Sequence, residues 1–419
     1  MKPGYKQTEV GVIPEDWEVV RLREHLSAQP RSGVNASSCP FDLRLPTYIR
    51  ITDIDSAGRF NTEGKTSVDT PFAGEFRVET GDLLFARTGA TVGKCYLHRE
   101  RTGDFVYAGF LIRVHTKPAS LDPEFLFYFC QSRVYWRWVA SDSARTGQPG
   151  LNGRQYGGML LPLPSIAEQR AIAEALSDAD ALIESLDTLI AKKRQIKQGA
   201  MQELLTGKRR LPGFSGEWET RFAWELGEFR SGSGFPLEHQ GSAVGEFAFF
   251  KVSDMNTIEN GTGLVVANHY VSDATRRLLH AFAFPPGTIM FAKVGAAVFL
   301  ERKMVSRVVS CVDNNMAGFI PNSSNTEPLY MYHAFQRVSF GALVSTTALP
   351  SLNSTTLRSI RFRVPVSREE QRAIAAVLSD LDAELDALDT KLEKARAIKQ
   401  GMMQELLTGR TRLVPAEVS

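Results

Sequence analysis

Glu168-Gln169-Arg170-Ala171-Ile172-Ala173 returns 202 residues later as Glu370-Gln371-Arg372-Ala373-Ile374-Ala375. Ile196-Lys197-Gln198-Gly199 and Gln202-Glu203-Leu204-Leu205-Thr206-Gly207 return at the same offset as Ile398-Lys399-Gln400-Gly401 and Gln404-Glu405-Leu406-Leu407-Thr408-Gly409. The segment therefore keeps its length between copies, and a period this long indicates duplication of a whole domain with its helix rather than a solenoid. Apolar residues run through both copies in steps of four and three: Ile172, Leu176, Ala179, Ile183, Leu186 and Ile190, then Ile374, Leu378, Leu381, Leu385, Leu388 and Leu392. A sustained 3.5-residue period makes a narrow stripe suited to another helix. Equal lengths and matched stripes favour mutual antiparallel pairing over two helices lying separately on their own domains. Acidic residues gather toward the N-terminal half and Lys192, Lys193, Arg194 and Lys197 follow, as the helix dipole prefers. Ser165 and Ser367 suit the N-caps, Gly207 and Gly409 the C-terminal stops. Gly199 and Gly401 sit inside the helices, where glycine is costly. They suggest close approach of another backbone, or simple inheritance from the duplicated ancestor.

Working outward, the chain reads as globular unit, helix, globular unit, helix, with segments 1–160, 161–211, 212–364 and 365–419. The expected fold class is α+β: two mixed globular units separated by two long helices that pair as an antiparallel coiled coil, with pseudo-two-fold symmetry. Both globular stretches alternate short β-branched and aromatic runs with Gly, Pro, Asn and Asp. Landmarks recur between them. Trp17-Glu18 matches Trp218-Glu219, and Tyr48-Ile49-Arg50-Ile51-Thr52-Asp53 matches Phe249-Phe250-Lys251-Val252-Ser253-Asp254. Gly81 to Arg87 matches Gly287 to Lys293, Ala108-Gly109-Phe110 is aligned with Ala317-Gly318-Phe319, and Leu151-Asn152 with Leu352-Asn353. An amphipathic segment opens at Pro123 in one unit and at Pro328 in the other, with breaks expected at Gly147 and Gly341. Its aromatic residues are most simply core.

A chain of 419 residues with 43% hydrophobic and 23% charged residues is of ordinary globular composition and long enough for two to four domains. Met1-Lys2-Pro3-Gly4 begins no apolar signal core and no stretch approaches the ~20 apolar residues of a membrane span. Cys39, Cys95, Cys130 and Cys311 stand far apart, with no zinc pair and no disulfide framework. A cytoplasmic setting is expected. The net charge of +2 leaves nucleic-acid binding to local patches.

No catalytic or metal-binding set is evident. Gly89-Ala90-Thr91-Val92-Gly93-Lys94 is one residue short of a phosphate-binding loop, and Cys95 stands where a magnesium-binding Ser or Thr belongs. The histidines lack metal spacing. Asp55, Glu63 and Lys65 make only a chance-level nuclease pattern, and the methyltransferase Asn-Pro-Pro-aromatic and Pro-Cys stretches are missing. What remains is a set of polar, basic loops. Arg87, Thr88, Lys94, Arg145, Thr146, Gln148, Asn152, Arg154 and Gln155 cluster around turn glycines in the first unit; Lys293, Thr346, Thr347, Asn353, Ser354, Thr355 and Arg358 do so in the second. Arg, Lys, Asn and Gln read base edges, while Ser, Thr and backbone amides position phosphates. Any one of them can be an ordinary solvated loop residue; as a set repeated at matched places they are the candidate DNA contacts.

The chain resembles the specificity subunit of type I restriction-modification enzymes. The resemblance rests on Pro164-x-x-x-Glu168-Gln169-Arg170-x-Ile172, the run from Ile196 to Gly207, their second copies, and the openings Ile13-Pro14-x-x-Trp17 and Gly213-Phe214-x-x-x-Trp218. It spans the whole chain, with the globular parts matching only at landmarks. Pro365 departs from the pattern, lying one residue further from Glu370 than Pro164 from Glu168. The resemblance implies a non-catalytic subunit whose two target recognition domains each read one half of a bipartite duplex DNA sequence. It implies helices that set the spacing and dock two methyltransferase subunits, with two restriction subunits completing the nuclease. S-adenosylmethionine, ATP and magnesium would belong to those partners, none to this chain. Two other classes stay open on the residues alone: an enzyme with unrecognised motifs, and a two-domain protein-binding adaptor with no DNA role.

Overall fold

The computed structural model describes residues 3–55, 57–144, 148–261, 263–344 and 350–413. The chain forms two compact units, Met1–Ser185 with Leu392–Ser419, and Leu186–Lys391. Each unit thus takes part of both long helices, Ile166–Leu204 and Arg368–Leu406.

In the first unit, strands Arg31–Ser32, Leu111–Val114, Leu83–Ala86 and Cys95–Leu97 make one sheet in that order. A second sheet runs Phe105–Tyr107, Thr47–Ile49, Thr66–Val68, Ser38–Pro40. The Leu83–Ala86 strand is buried along its whole length, as a strand covered on both faces must be. The helix Pro123–Phe129 lies against the first sheet and buries Phe125, Leu126, Phe127, Tyr128 and Phe129. Asp122 caps it by accepting the N–H groups of Glu124 and Phe125. The amphipathic segment breaks earlier than expected, at Cys130–Ser132, and resumes as Arg133–Asp142 with Ser132 as its cap. Gly147 lies outside the described residues.

The second unit repeats the plan with a five-stranded sheet, Gly227–Ser231, Met316–Pro321, Ile289–Ala292, Lys303–Ser306 and Gly263–Leu264. A three-stranded sheet accompanies it, Tyr270–Val271, Phe247–Phe250 and Ser310–Val312. The helix Pro328–Gln336 ends at Gln336, ahead of Gly341, which opens a separate 3-10 turn.

Strand register corrects one sequence landmark. Leu111 faces Ala86 across the sheet, and Met316 faces Ala292. Tyr107 pairs with Ile49, and Val312 with Phe250. Ala108-Gly109-Phe110 is therefore equivalent to Asp313-Asn314-Asn315 and not to Ala317-Gly318-Phe319, which lies four residues further on. The Ala-Gly-Phe likeness was coincidence: Phe110 stands on a loop, while Phe319 is a fully buried strand residue.

The helix seam is largely as expected. Leu186, Ile190, Leu385 and Leu392 are buried, and Ile183, Leu381 and Leu388 are half-buried. Within the second unit Lys193 pairs with Glu384 at 2.6 Å and Arg194 with Asp389 at 3.1 Å, and Lys197 pairs with Asp382. Between Lys193 and Lys197, one turn apart, the partner falls from Glu384 to Asp382, and between Arg194 and Lys197 from Asp389 to Asp382, which is the antiparallel sense. The seam's opening turns do something else. Ile172 and Leu176 belong to the first unit's core, Ile374 and Leu378 to the second's, because a sheet and a short helix offer them a wider apolar surface than one helix could. Each helix's far end is equally absorbed: Leu204 and Leu205 enter the second unit's core, Leu406 and Leu407 the first's. Ser165 and Ser367 cap the helices, accepting from the N–H groups of Glu168 and Glu370. Gly207 and Gly409 end them at φ +69 and +66. Gly199 and Gly401 do not explain themselves by a close neighbour: a Cβ on either would meet no described atom within 4 Å.

Candidate nucleic-acid interface

Three loops meet at one point in each unit. In the first, the Arg87 N–H donates to the Phe110 carbonyl at 3.0 Å, the Leu151 N–H to the Arg87 carbonyl at 2.8 Å, and the Gly89 N–H to the Pro149 carbonyl at 3.1 Å. In the second, Lys293 donates to the Asn315 carbonyl, Leu352 to the Lys293 carbonyl and Gly295 to the Pro350 carbonyl, each at 2.8 Å. The backbone scaffold is the same bond for bond, and the side chains on it differ.

A fourth segment leans on this junction. Gly33 donates to Leu111 O at 3.1 Å and Gly232 to Met316 O at 3.0 Å. A Cβ at Gly33 would sit 2.2 Å from Tyr107 O, and one at Gly232 1.9 Å from Asp313 O, so only glycine allows the chain this near. The pass of residues 33–38 leaves an open cleft of about 630 Å³ in the first unit, lined by Asn35, Ser37, Tyr48, Arg50, Thr52 and Phe110 among others. In the second unit Phe235 stacks on Phe249 with ring centroids 3.8 Å apart, at the place where Tyr48 instead donates its hydroxyl to Val34 O.

The sequence candidates divide by what the fold asks of them. Arg87, Thr88 and Gln148 line the first junction: the Arg87 Nη1 reaches Ser32 Oγ and Gly109 O, Thr88 bridges to Gly150, and the Gln148 amide lies over Gly89. The Arg87 Nε is buried with no acceptor among the described residues. Lys293, with no ion pair among the described residues, holds the equivalent place in the second unit. Asn152 and Asn353 cap the short helices Gly153–Gly158 and Ser354–Arg358, accepting from the N–H groups of Gln155 and Thr356. Gln155 completes its capping box and donates to Asp142 O, so its side chain serves the fold. Lys94 donates to Ile54 O at 3.0 Å, which ties its ammonium to the fold. Arg154, Ser354, Thr355 and Arg358 are exposed on those short helices. Arg145, Thr146, Thr346 and Thr347 lie outside the described residues.

Sequence reading missed the 33–38 segment, Arg50, Thr52 and the Asn314-Asn315 pair. Arg50 is tied to Asp53 by two contacts of 2.9 and 2.7 Å and reaches Ser38 Oγ. Burial pushes the Asp313 carboxyl above its usual range, against the Asn315 hydrogen bonds that lower it. The signal that could have found the Asn pair was the strand register, which only pairing reveals. Among the described residues no group of His, Cys, Asp and Glu could hold a metal, and no helix is long and apolar enough to cross a membrane.

A fold of this kind, with two α+β units carrying matched loop junctions and sharing two long helices, defines a duplicated recognition protein. The family model described as the type I restriction modification DNA specificity domain matches residues 14–195 and again 215–396, so the chain belongs to that family and carries two of its domains. It is similar to the putative type I restriction enzyme MjaX specificity subunit of Methanocaldococcus jannaschii, 22% identical over 98% of this chain and 97% of the relative. The MjaVIII specificity subunit of the same organism is also 22% identical, over 96% and 94%. Among solved structures, the type I restriction-modification S subunit from M. genitalium has the same fold, at TM-score 0.64 and 16% identity over 97% of this chain and 99% of that one. A chain from a study of type I complex assembly and conformational transition matches at TM-score 0.54 and 17% identity, over 95% and 99%.

Proposed function

We propose that each specificity domain reads one half of a bipartite duplex DNA target, the first through the junction at Arg87 and the second through that at Lys293. The observation that carries this reading is the doubled junction itself: identical backbone hydrogen bonds presenting unlike side chains. A conserved scaffold with divergent tips is how one fold reads two sequences. The paired helices set the distance between the halves and dock two methyltransferase subunits, and two restriction subunits complete the nuclease. An apolar cleft of about 460 Å³ in the second unit supports docking; Ile196, Ala200, Leu204, Leu211, Val377 and Leu381 line it, with acidic and basic residues at its rim. This chain performs no chemistry itself; S-adenosylmethionine, ATP and magnesium belong to the partners, and the assembly works in the cytoplasm.

Exchange of residues 1–160 for the corresponding region of a relative, followed by mapping of methylated bases, tests the reading. One half of the recognition sequence is expected to change. A change in both halves, or tight S-adenosylmethionine binding by the isolated chain, would overturn it.

A further inference from the structure

Phe110 is 60% exposed, on a loop whose neighbours Ala108 and Gly109 are buried. Water gains nothing from a presented phenyl ring, and the loop is not lax: its carbonyl accepts the Arg87 N–H and Gly109 donates to Val34 O at 2.8 Å. The ring therefore stands on a rigid mount, at the mouth of the cleft it helps to line. Arg87, with an unsatisfied buried Nε, adjoins it. A guanidinium held through its Nη1 by Ser32 Oγ and Gly109 O, with its Nε left without an acceptor, stands beside a presented apolar ring, and the pair fits a surface carrying phosphate next to an apolar group, as a DNA groove does.

The register puts Asn315 at the same position in the second domain. Its Nδ2 donates one hydrogen to Asp313 Oδ2 at 3.2 Å, and its N–H donates to the Asp313 Oδ1 at 3.1 Å. Asp313 thus fixes which way the amide faces. The second hydrogen on Nδ2 and the side-chain Oδ1 have no partner among the described residues. One donor and one acceptor in a plane are what an adenine edge requires at N7 and N6.

We propose that position 110 in the first domain and position 315 in the second are equivalent base-reading positions that recognise an A·T pair by opposite chemistries. Phe110 packs on the 5-methyl group of a thymine in the major groove; Asn315 grips an adenine edge with its oriented amide. This rests on the recognition reading above. It goes further by naming one residue and one kind of base per domain.

The test uses the complex of the full chain with its methyltransferase partner, on duplexes built from its mapped target. Each thymine of the first half-site is replaced in turn by deoxyuridine, and each adenine of the second by 7-deazaadenine. At one position the wild type should lose about four-fold in binding on loss of the methyl group. Phe110→Ala should bind the two duplexes alike there while still reading the second half-site normally, which shows that the chain is folded. At one adenine the wild type should lose about ten-fold, and Asn315→Ala should abolish that difference alone. Phe110→Ala with wild-type discrimination at every thymine overturns the assignment of Phe110, and Asn315→Ala with wild-type discrimination at every adenine that of Asn315. A wild-type complex without any sequence preference would sink the recognition reading itself, an outcome visible before any variant is made.

Discussion

Trp17 donates its indole N–H to Glu168 Oε2 at 3.1 Å, joining the start of the first domain to the start of the long helix 151 residues later. Arg412, from beyond the other helix's end, closes on the same carboxylate at 2.6 and 2.8 Å. In the second unit Trp218 and Arg210 do the same to Glu370. Glu168 and Glu370 are 2% and 1% exposed, so each carboxylate owes its burial to these donors. The next residue is as fully used. Gln169 accepts from the Asp122 N–H and donates to Ser120 O and Pro164 O; Gln371 accepts from Glu327 and donates to Asn325 O and Pro365 O. Pro365's one-residue displacement leaves that last bond unchanged at 2.9 Å.

Glu168→Ala should therefore destabilise the first unit by about 2 kcal/mol, since it leaves a buried indole N–H without an acceptor and takes from Arg412 two of its contacts, the Asp16 carboxylate keeping the others. Trp17→Phe, which removes only the hydrogen bond and part of the ring, should cost less. Denaturant unfolding followed by hydrogen exchange in residues 83–97 would measure both, and equal losses would count against the carboxylate as the centre of the cluster.

Leu406→Ala should open the first unit's core and Leu204→Ala the second's, each by about 2–5 kcal/mol. Hydrogen exchange resolved to strands 83–97 and 289–305 should show loosening in one unit for each variant. Loosening confined to the helix carrying the substitution would contradict the shared cores.

His333 is buried on the helix Pro328–Gln336, with Ser379 Oγ 3.2 Å from its Nε2 and Lys197 nearby. Burial, with a smaller push from Lys197, lowers its pKa from 6.5 to about 3. The ring is neutral at pH 7, so its 3.8 Å approach to Asp382 is no ion pair. Between about pH 6.5 and 3 the unfolded chain binds a proton that the folded one refuses. Stability from this group is complete above 6.5 and falls as pH drops through that window, by at most about 1.4 kcal/mol per unit. Tyr128 holds the equivalent place in the first unit, donating to Asp180. His333→Tyr should import that solution and remove one proton's worth of slope from stability measured between pH 4 and 6.

Arg87→Ala should weaken binding to every duplex about equally and lower the slope of log affinity against log salt by about one, as loss of one phosphate contact does. Anisotropy titrations at several salt concentrations would show it; an altered consensus with unchanged slope would make Arg87 a base reader instead.

Seven residues inserted after Ile190 and seven after Leu392 keep the seam in phase. Each helix then gains about 10 Å at 1.5 Å per residue. An active variant should methylate the same half-sites with about three more base pairs between them. Activity on the original spacing would return the helices to docking alone.

The sequence by itself determined the duplication, the two long helices, their caps and the 3.5-residue seam, because these are local and periodic properties that two copies report twice. It also marked Arg87, Thr88, Gln148 and Lys293, which stand beside turn glycines in both copies. It could not separate Asn152 or Asn353 as helix caps from Asn as a base reader, since both uses favour an exposed amide in a loop. It aligned Phe110 with Phe319, because identity of three letters outweighs register when register is unseen. Only the tertiary structure paired Leu111 with Ala86 and Met316 with Ala292, and so made Phe110 and Asn315 equivalent positions. Only it sent Leu406 and Leu407 into a core built from residues nearly 400 positions earlier. A pattern along the chain shows which face of a helix is apolar; what that face meets depends on the free energy of burying it against surfaces that exist once the whole chain has folded.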